Sequence, residues 1–376
     1  MVVATPGRRL RWRVGGGRIG RDGHGDAGRG WHDQRGRGRG AVRGMSQARP
    51  TNNFDALRLG AALAVLASHS VPLSYGDNEW EPVWRASQHQ ATLGHMSVAV
   101  FFVISGYLIT ASYARRPDPV RFVGARALRL LPGLAVMLAL VTVAAGLLLT
   151  TLPLADYFAS PATLRFFVGN LSVFAFTANL PGVFGSNPFP SAVNGSLWTL
   201  AYEVECYAAV LLLGVAGCLT RWVALAALGA LLLASGMWWG GDLVEFGSYF
   251  AGGAVMYLWA VPLRRWVAVA CALLLLAGLA TGLRLACATA GAYLVIYAAL
   301  AVRPIRMPAD TDVSYGVYIY AFPVQQAVTM LLGDAAVWWA NIAISLPVVL
   351  ALAWASWRWV EAPALALLRR SKSLAA

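Results

Sequence analysis

From residue 54 onward the chain alternates long apolar runs with short polar breaks. Ten runs lie near 56–75, 96–113, 130–151, 196–218, 222–239, 244–260, 266–283, 285–302, 313–332 and 337–359. Each is about 17–23 residues long, and a helix of that length crosses the ~30 Å hydrocarbon core of a bilayer. The pattern predicts an all-α integral membrane protein, a bundle of about ten transmembrane helices. Residues 163–180, "TLRFFVGNLSVFAFTANL", are apolar enough for an eleventh span. A crossing there would invert every later loop, so the stretch is expected to be re-entrant or packed at the outer face, where irregular backbone must be buried in protein. No internal repeat is evident, which weakens a transporter built from inverted repeats.

Composition supports the membrane class. Only 12% of residues are charged and 58% are hydrophobic, against about 25% charged in a soluble domain. Fifteen Trp and thirteen Tyr suit two membrane interfaces. Placing the start of the first span in the cytoplasm puts Arg115, Arg116, Arg121, Arg126, Arg129, Arg221, Arg264, Arg265, Arg303 and Arg306 in inner loops. The outer loops then hold Arg85, Arg165 and Arg284. By the positive-inside rule both termini are expected to be cytoplasmic, and a multi-pass protein of the inner (plasma) membrane is expected.

The net charge of +13 changes the picture at one place only. Residues 1–49 hold 12 Arg against 3 acidic residues, leaving the rest at +4. Residues 1–44 are Gly and Arg with little to bury, and are expected to be a disordered extension. A nucleic-acid tail, a lipid contact and a start read too early, with Met45 the true one, all fit; the last is favoured and no nucleic-acid partner is expected. Residues 45–365 form the expected transmembrane domain and 366–376 a short basic cytoplasmic tail. Cys206, Cys218, Cys271 and Cys287 sit in apolar stretches without a CxxC pair, so neither disulfides nor a metal are expected.

The first span, "RLGAALAVLASH", carries a cation at one end and a titratable ring at the other. Eleven residues of helix turn through about 1100° and rise about 16.5 Å, so Arg58 and His69 share a face. Arg58 alone reads as a snorkelling anchor. His69 alone reads as a packed, hydrogen-bonded histidine. Together they suit catalysis, since imidazole takes a proton from a hydroxyl and guanidinium grips phosphate. An enzyme using an acyl-CoA needs phosphates at the mouth and the thioester deep inside.

Motifs in order along the chain carry a resemblance. They are "NNFDALRL…SHSVPL", "VAVFFVISGYLIT", "RFVGARALRLLP", "GNLSVF", "NGSLWTLAYEVECY", "DVSYGVYIYAFPVQQ" and "WVEAP". The chain resembles the acyltransferase 3 family of membrane O-acyltransferases, bacterial members of which decorate surface polysaccharides. Each motif is weak alone; their order and spacing over most of residues 50–365 are specific. The resemblance identifies Arg58 and His69 with the family's arginine–histidine signature and Arg126 and Arg129 with its cytoplasmic R-x-x-R, implying CoA-phosphate contact. It also matches Glu203 to the family's glutamate after Leu-Trp-Thr-Leu. Many members have a histidine where this chain has Ala321, so no role is assigned there.

Depth arithmetic sets Glu203 near the level of His69, where a carboxylate would orient the ring and stabilise its imidazolium. Glu205 points about 200° away on a helix. Asp55 stands at i, i+3 from Arg58 and is expected to pair with it. Trp198 and Tyr202 read as interface aromatics, Ser105 and Gly106 as close helix packing, His95 as structural and His89 as a loop residue.

The expected activity is transfer of an acyl group from acyl-CoA, acetyl-CoA first, to a hydroxyl of a surface-glycan or lipid-linked sugar. His69 is the general base and membrane lipid the surroundings. The rival readings are a proton-coupled transporter or flippase of glycan precursors using His69 and Glu203, and a structural membrane partner in which His69 is dispensable.

Overall fold

The computed structural model describes residues 52–236, 241–281, 286–305, 307 and 311–370. The Gly/Arg-rich extension 1–44, Met45, Arg284, Arg306 and Lys372 lie outside the described residues. Among the described residues the chain is helical and has no strand. The helices are α1 (Phe54–Tyr75), α2 (Pro82–Ala86), α3 (Leu93–Arg115), α4 (Pro119–Leu148), α5 (Leu154–Ala159), α6 (Pro161–Leu171) and α7 (Thr199–Val215). They continue with α8 (Arg221–Gly236), α9 (Asp242–Leu258), α10 (Arg265–Thr281), α11 (Ala292–Leu300), α12 (Ser314–Leu332), α13 (Trp338–Ser356) and α14 (Ala362–Arg370). A π turn, Trp357–Glu361, joins α13 to α14.

A described helix overlaps each of the ten expected runs, of which residues 237–239, 282–283 and 285 lie outside the described residues. Among the described residues four stretches are long and apolar enough to cross a membrane: Phe54–Tyr75, Leu93–Arg115, Pro119–Leu148 and Trp338–Leu368. Helices α7, α9 and α10 run 17 residues each, or about 25 Å. Within 163–180 the helix ends at Leu171, after about 16.5 Å, too short to cross a ~30 Å core. Asn170 ends that helix from inside: its Nδ2 donates to the Phe166 and Thr177 carbonyls at 2.8 Å each, and its Oδ1 accepts from Thr177 N at 3.2 Å.

Two local devices fix the helices that carry the site. Asn53, just before α1, is buried. Its Nδ2 donates to the Ala298 and Val302 carbonyls at 3.0 and 3.2 Å, and its Oδ1 accepts from Ile305 N at 2.7 Å. The start of α1 thus satisfies carbonyls left open at the end of α11, and the entry point of Arg58 is set. Helices α3 and α9 touch backbone to backbone. A Cβ on Gly106 would run into the Phe250 carbonyl, and one on Gly253 into the Val103 carbonyl, so only glycine permits this approach.

The third expected span begins earlier than the apolar pattern suggested. Asp118 caps α4 by accepting from Arg121 N at 3.0 Å, with Pro119 at the first helical position. The helix therefore runs 30 residues and includes Arg126 and Arg129, which lie three apart on one face.

Candidate active site

A cavity of about 540 Å³ opens among α1, α3, α4, α7, α12 and α14. Its wall includes Arg58, Arg126, Arg129, Ser105, Glu203 and Tyr207. The three expected cations and Glu203 are thus brought to one space. His69 is not on this wall.

The arginines differ in availability. Arg129 donates from Nη2 to Asp312 Oδ2 at 2.6 Å and from Nη1 to Glu361 Oε2 at 3.3 Å. Its guanidinium also lies 5.7 Å from the ring centroids of Tyr315 and Trp357. Arg58 Nη1 stands 3.9 Å from the same Asp312 Oδ2. The expected i, i+3 pair with Asp55 gives way to this partner from the loop before α12; Asp55 is exposed. Arg126 has no carboxylate partner among the described residues. Its guanidinium lies 5.7 Å from the Phe122 ring, and its Nε is buried and unpartnered. Of the three, Arg126 is the cation best able to take a new anion.

Asp312 gathers this corner. Ser314 donates to its Oδ1 from the hydroxyl at 2.6 Å and from the backbone at 3.3 Å. Burial pushes the Asp312 carboxyl up, but Arg129, Arg58 and the two Ser314 donors outweigh it and hold the group below the usual carboxylate range. Glu361 is almost fully buried and also accepts from Ser356 Oγ at 2.9 Å.

Glu203 accepts from Ser105 Oγ at 3.1 Å and from the Tyr207 hydroxyl one turn along α7. No hydrogen bond joins it to His69, so the orienting contact expected from depth is not formed in this state. Ser105 has a polar role beyond close packing. Glu205 sits off this wall, with its Oε2 buried and unpartnered.

His69 lies on the same unbroken α1 as Arg58, about 16.5 Å along its axis. Its ring stands edge-on to Phe322 at 5.3 Å. Its Nδ1 is buried without a partner while the residue as a whole is half-buried, so its remaining exposure lies away from Nδ1. Phe101 and Tyr318, edge to face at 5.7 Å, line the cavity. Phe101 also packs on the apolar cluster that includes Ala62, Leu66 and Ala321, in the turns before His69 on α1 and in α12. Ala321 is fully buried there.

Residues 51–358 match the acyltransferase 3 family, described as an acyltransferase domain. The chain belongs to the acyltransferase 3 family. The similarity extends to an O-acetyl transferase of Shigella phage Sf6, 30% identical over 335 residues, which cover 83% of this chain and 95% of that protein. Nodulation protein 10 of Rhizobium leguminosarum bv. viciae is 29% identical over 358 residues, covering 84% and 94%. No solved structure matches. This acyltransferase 3 protein is an O-acetyltransferase-like enzyme with helices long and apolar enough to cross a membrane. Among its described residues no group of three or more His, Cys, Asp or Glu is placed to hold a metal.

The remaining candidates are accounted for locally. His95 Nε2 is 2.9 Å from Glu245 Oε1, beside a second cavity of about 130 Å³ lined mostly by apolar side chains. His89 lies 3.5 Å from Glu79 in an exposed loop. Trp198 and Tyr202 both pack on Phe246, at 5.5 and 5.9 Å. Asp312, Glu361 and Tyr207 were not singled out from the sequence, and Ser105 was read there only as close helix packing. Glu361 falls just past the last apolar run, 337–359, and the continuation of that span to Leu368 is what makes it a carboxylate in need of a partner. Asp312 gave no signal, because its partners come from α1 and α4.

Proposed function

We propose that this enzyme transfers an acyl group, acetyl first among them, from acyl-CoA to a hydroxyl of a lipid-linked or surface-glycan sugar. It works as a multi-pass protein of the inner membrane, with ten spans and both termini in the cytoplasm. The observation that carries the reading is the pairing on α1. Arg58 lies in a cavity with Arg126 and Arg129, and His69 follows about 16.5 Å along the same helix. An extended pantetheine arm links two such points.

Arg126 and Arg58 take the CoA phosphates, Arg129 holding the carboxylates that shape the mouth. Acyl-CoA enters from the cytoplasm, and its thioester passes the Phe101–Tyr318 pair. The Nε2 lone pair of His69 removes the proton of the acceptor hydroxyl as its oxygen attacks the thioester carbonyl. The C–S bond breaks, and the imidazolium returns the proton to the departing thiolate, releasing free CoA. Glu203, held by Ser105 and Tyr207, supplies negative charge on the path that favours the imidazolium.

The test is transfer from radiolabelled acetyl-CoA, with the protein in nanodiscs and a panel of glycans and lipid-linked sugars. Label on an acceptor oxygen supports the reading. CoA binding without transfer would move the search to other hydroxyl acceptors. Neither binding nor transfer would favour the transport reading.

A further inference from the structure

A histidine that acts as a base keeps its proton on the nitrogen turned away from the acceptor, and the partner of that nitrogen sets the tautomer. His69 Nδ1 is buried and lacks such a partner. A second buried and unpartnered atom, Gln325 Oε1, belongs to α12. One is able to donate and the other only accepts.

The two side chains belong to one layer. Gln325 Nε2 donates to the Leu66 carbonyl at 2.9 Å, and Leu66 lies one turn before His69 on α1. Phe322, edge-on to His69 at 5.3 Å, lies one turn before Gln325 on α12. Helical side chains lean toward the N-terminus of their helix, so the imidazole covers the turn that contains Leu66. The Gln325 amide therefore ends at the level of the ring.

The amide is also held in one sense. Its Nε2 donates to Asn341 Oδ1 at 3.1 Å, while Asn341 Nδ2 donates to the Gln325 carbonyl at 3.0 Å and to Thr329 Oγ1 at 2.9 Å. Gln325 and Asn341 are both fully buried. With its nitrogen fixed on α1 and α13, the amide presents Oε1 as the free acceptor. The neighbouring Ser70 hydroxyl is engaged, donating to the Ala67 carbonyl at 2.6 Å, and Glu203 is held by Ser105 and Tyr207.

We propose that Gln325 is the positioning residue of His69. Its Oε1 accepts the Nδ1 proton once the imidazole turns about its Cβ–Cγ bond, which fixes the tautomer and leaves Nε2 as the base. Asn341 is the brace behind it. The proposal rests on His69 being the base.

The experiment is nitrogen-15 NMR of histidine-labelled protein in nanodiscs. The chain has five histidines, and His69→Ala identifies the resonances of interest. The expected result is a protonated Nδ1 and an unprotonated Nε2 in the wild type. In Gln325→Met the proton redistributes toward Nε2, and kcat falls by up to about 100-fold, the scale of a small misplacement, with KM for acetyl-CoA unchanged. A wild-type proton on Nε2, or an unchanged tautomer in Gln325→Met, overturns the assignment. If Gln325→Met does not fold, the wild-type tautomer decides alone. Full turnover by His69→Ala would remove the base reading itself. An inactive His69→Ala with the wild-type proton on Nε2 would remove only Gln325.

Discussion

Replacing Arg129 by Met isolates what the cluster at the mouth contributes. The substitution removes both the Asp312 contact at 2.6 Å and the Glu361 contact at 3.3 Å. Asp312 keeps Arg58 at 3.9 Å and two Ser314 donors. Glu361 keeps only Ser356 Oγ at 2.9 Å, and its side chain is 1% exposed. With unfolding followed at alkaline pH, where Glu361 is ionised, the carboxylate left there has lost its counter-charge but not its burial. Removing one partner of a buried pair costs about 3–5 kcal/mol, and most of it should arise at Glu361. Adding Glu361→Gln removes that charge and should recover about 1–3 kcal/mol, the usual coupling of contacting residues. Unfolding in mixed micelles by SDS measures both. An Arg129→Met protein within about 1 kcal/mol of wild type, or a double variant less stable than the single one, would refute the reasoning.

Other predictions follow from the same geometry. Arg126→Ala removes the guanidinium without a carboxylate partner; losing charge-assisted bonds of ~1.5–3 kcal/mol should raise KM for acetyl-CoA at least about tenfold, with kcat little changed, and steady-state kinetics checks this. Gly106→Ala drives a Cβ into the Phe250 carbonyl and should destabilise by at least about 1–3 kcal/mol, whereas Gly60→Ala, which meets nothing within 4 Å, should be neutral or stabilising by up to about 1 kcal/mol. Because the Asp312 pKa is lowered in the fold, its contribution is complete above the ordinary carboxylate range and is lost only as pH falls through the lowered value. Asp312→Asn should therefore cost the same stability at pH 8 as at pH 5, and a cost that shrinks between them would contradict the ion cluster.

The helix positions were legible because lipid imposes a simple pattern: an apolar run long enough to cross and arginines between runs. The start of α4 was not, since Asp118 and Pro119 begin a helix in a polar stretch that hydropathy reads as loop. At the site, Arg58 and His69 could be read from one helix, because spacing within a helix fixes direction. Pairings between helices could not. Arg58 meets Asp312 rather than nearby Asp55, and Glu203 meets Ser105 and Tyr207 rather than His69, because helix rotation is set by packing such as the Gly106–Phe250 approach. Gln325 and Asn341 were silent for the same reason, being amides within apolar runs.

The most direct test of the central claim is thiol release from acetyl-CoA by wild-type and His69→Ala proteins in nanodiscs, with an acceptor that wild type uses. Release is expected to be lost in His69→Ala while the variant stays folded and binds CoA as tightly as wild type. Equal release by the two proteins would contradict it and remove His69 from the chemistry.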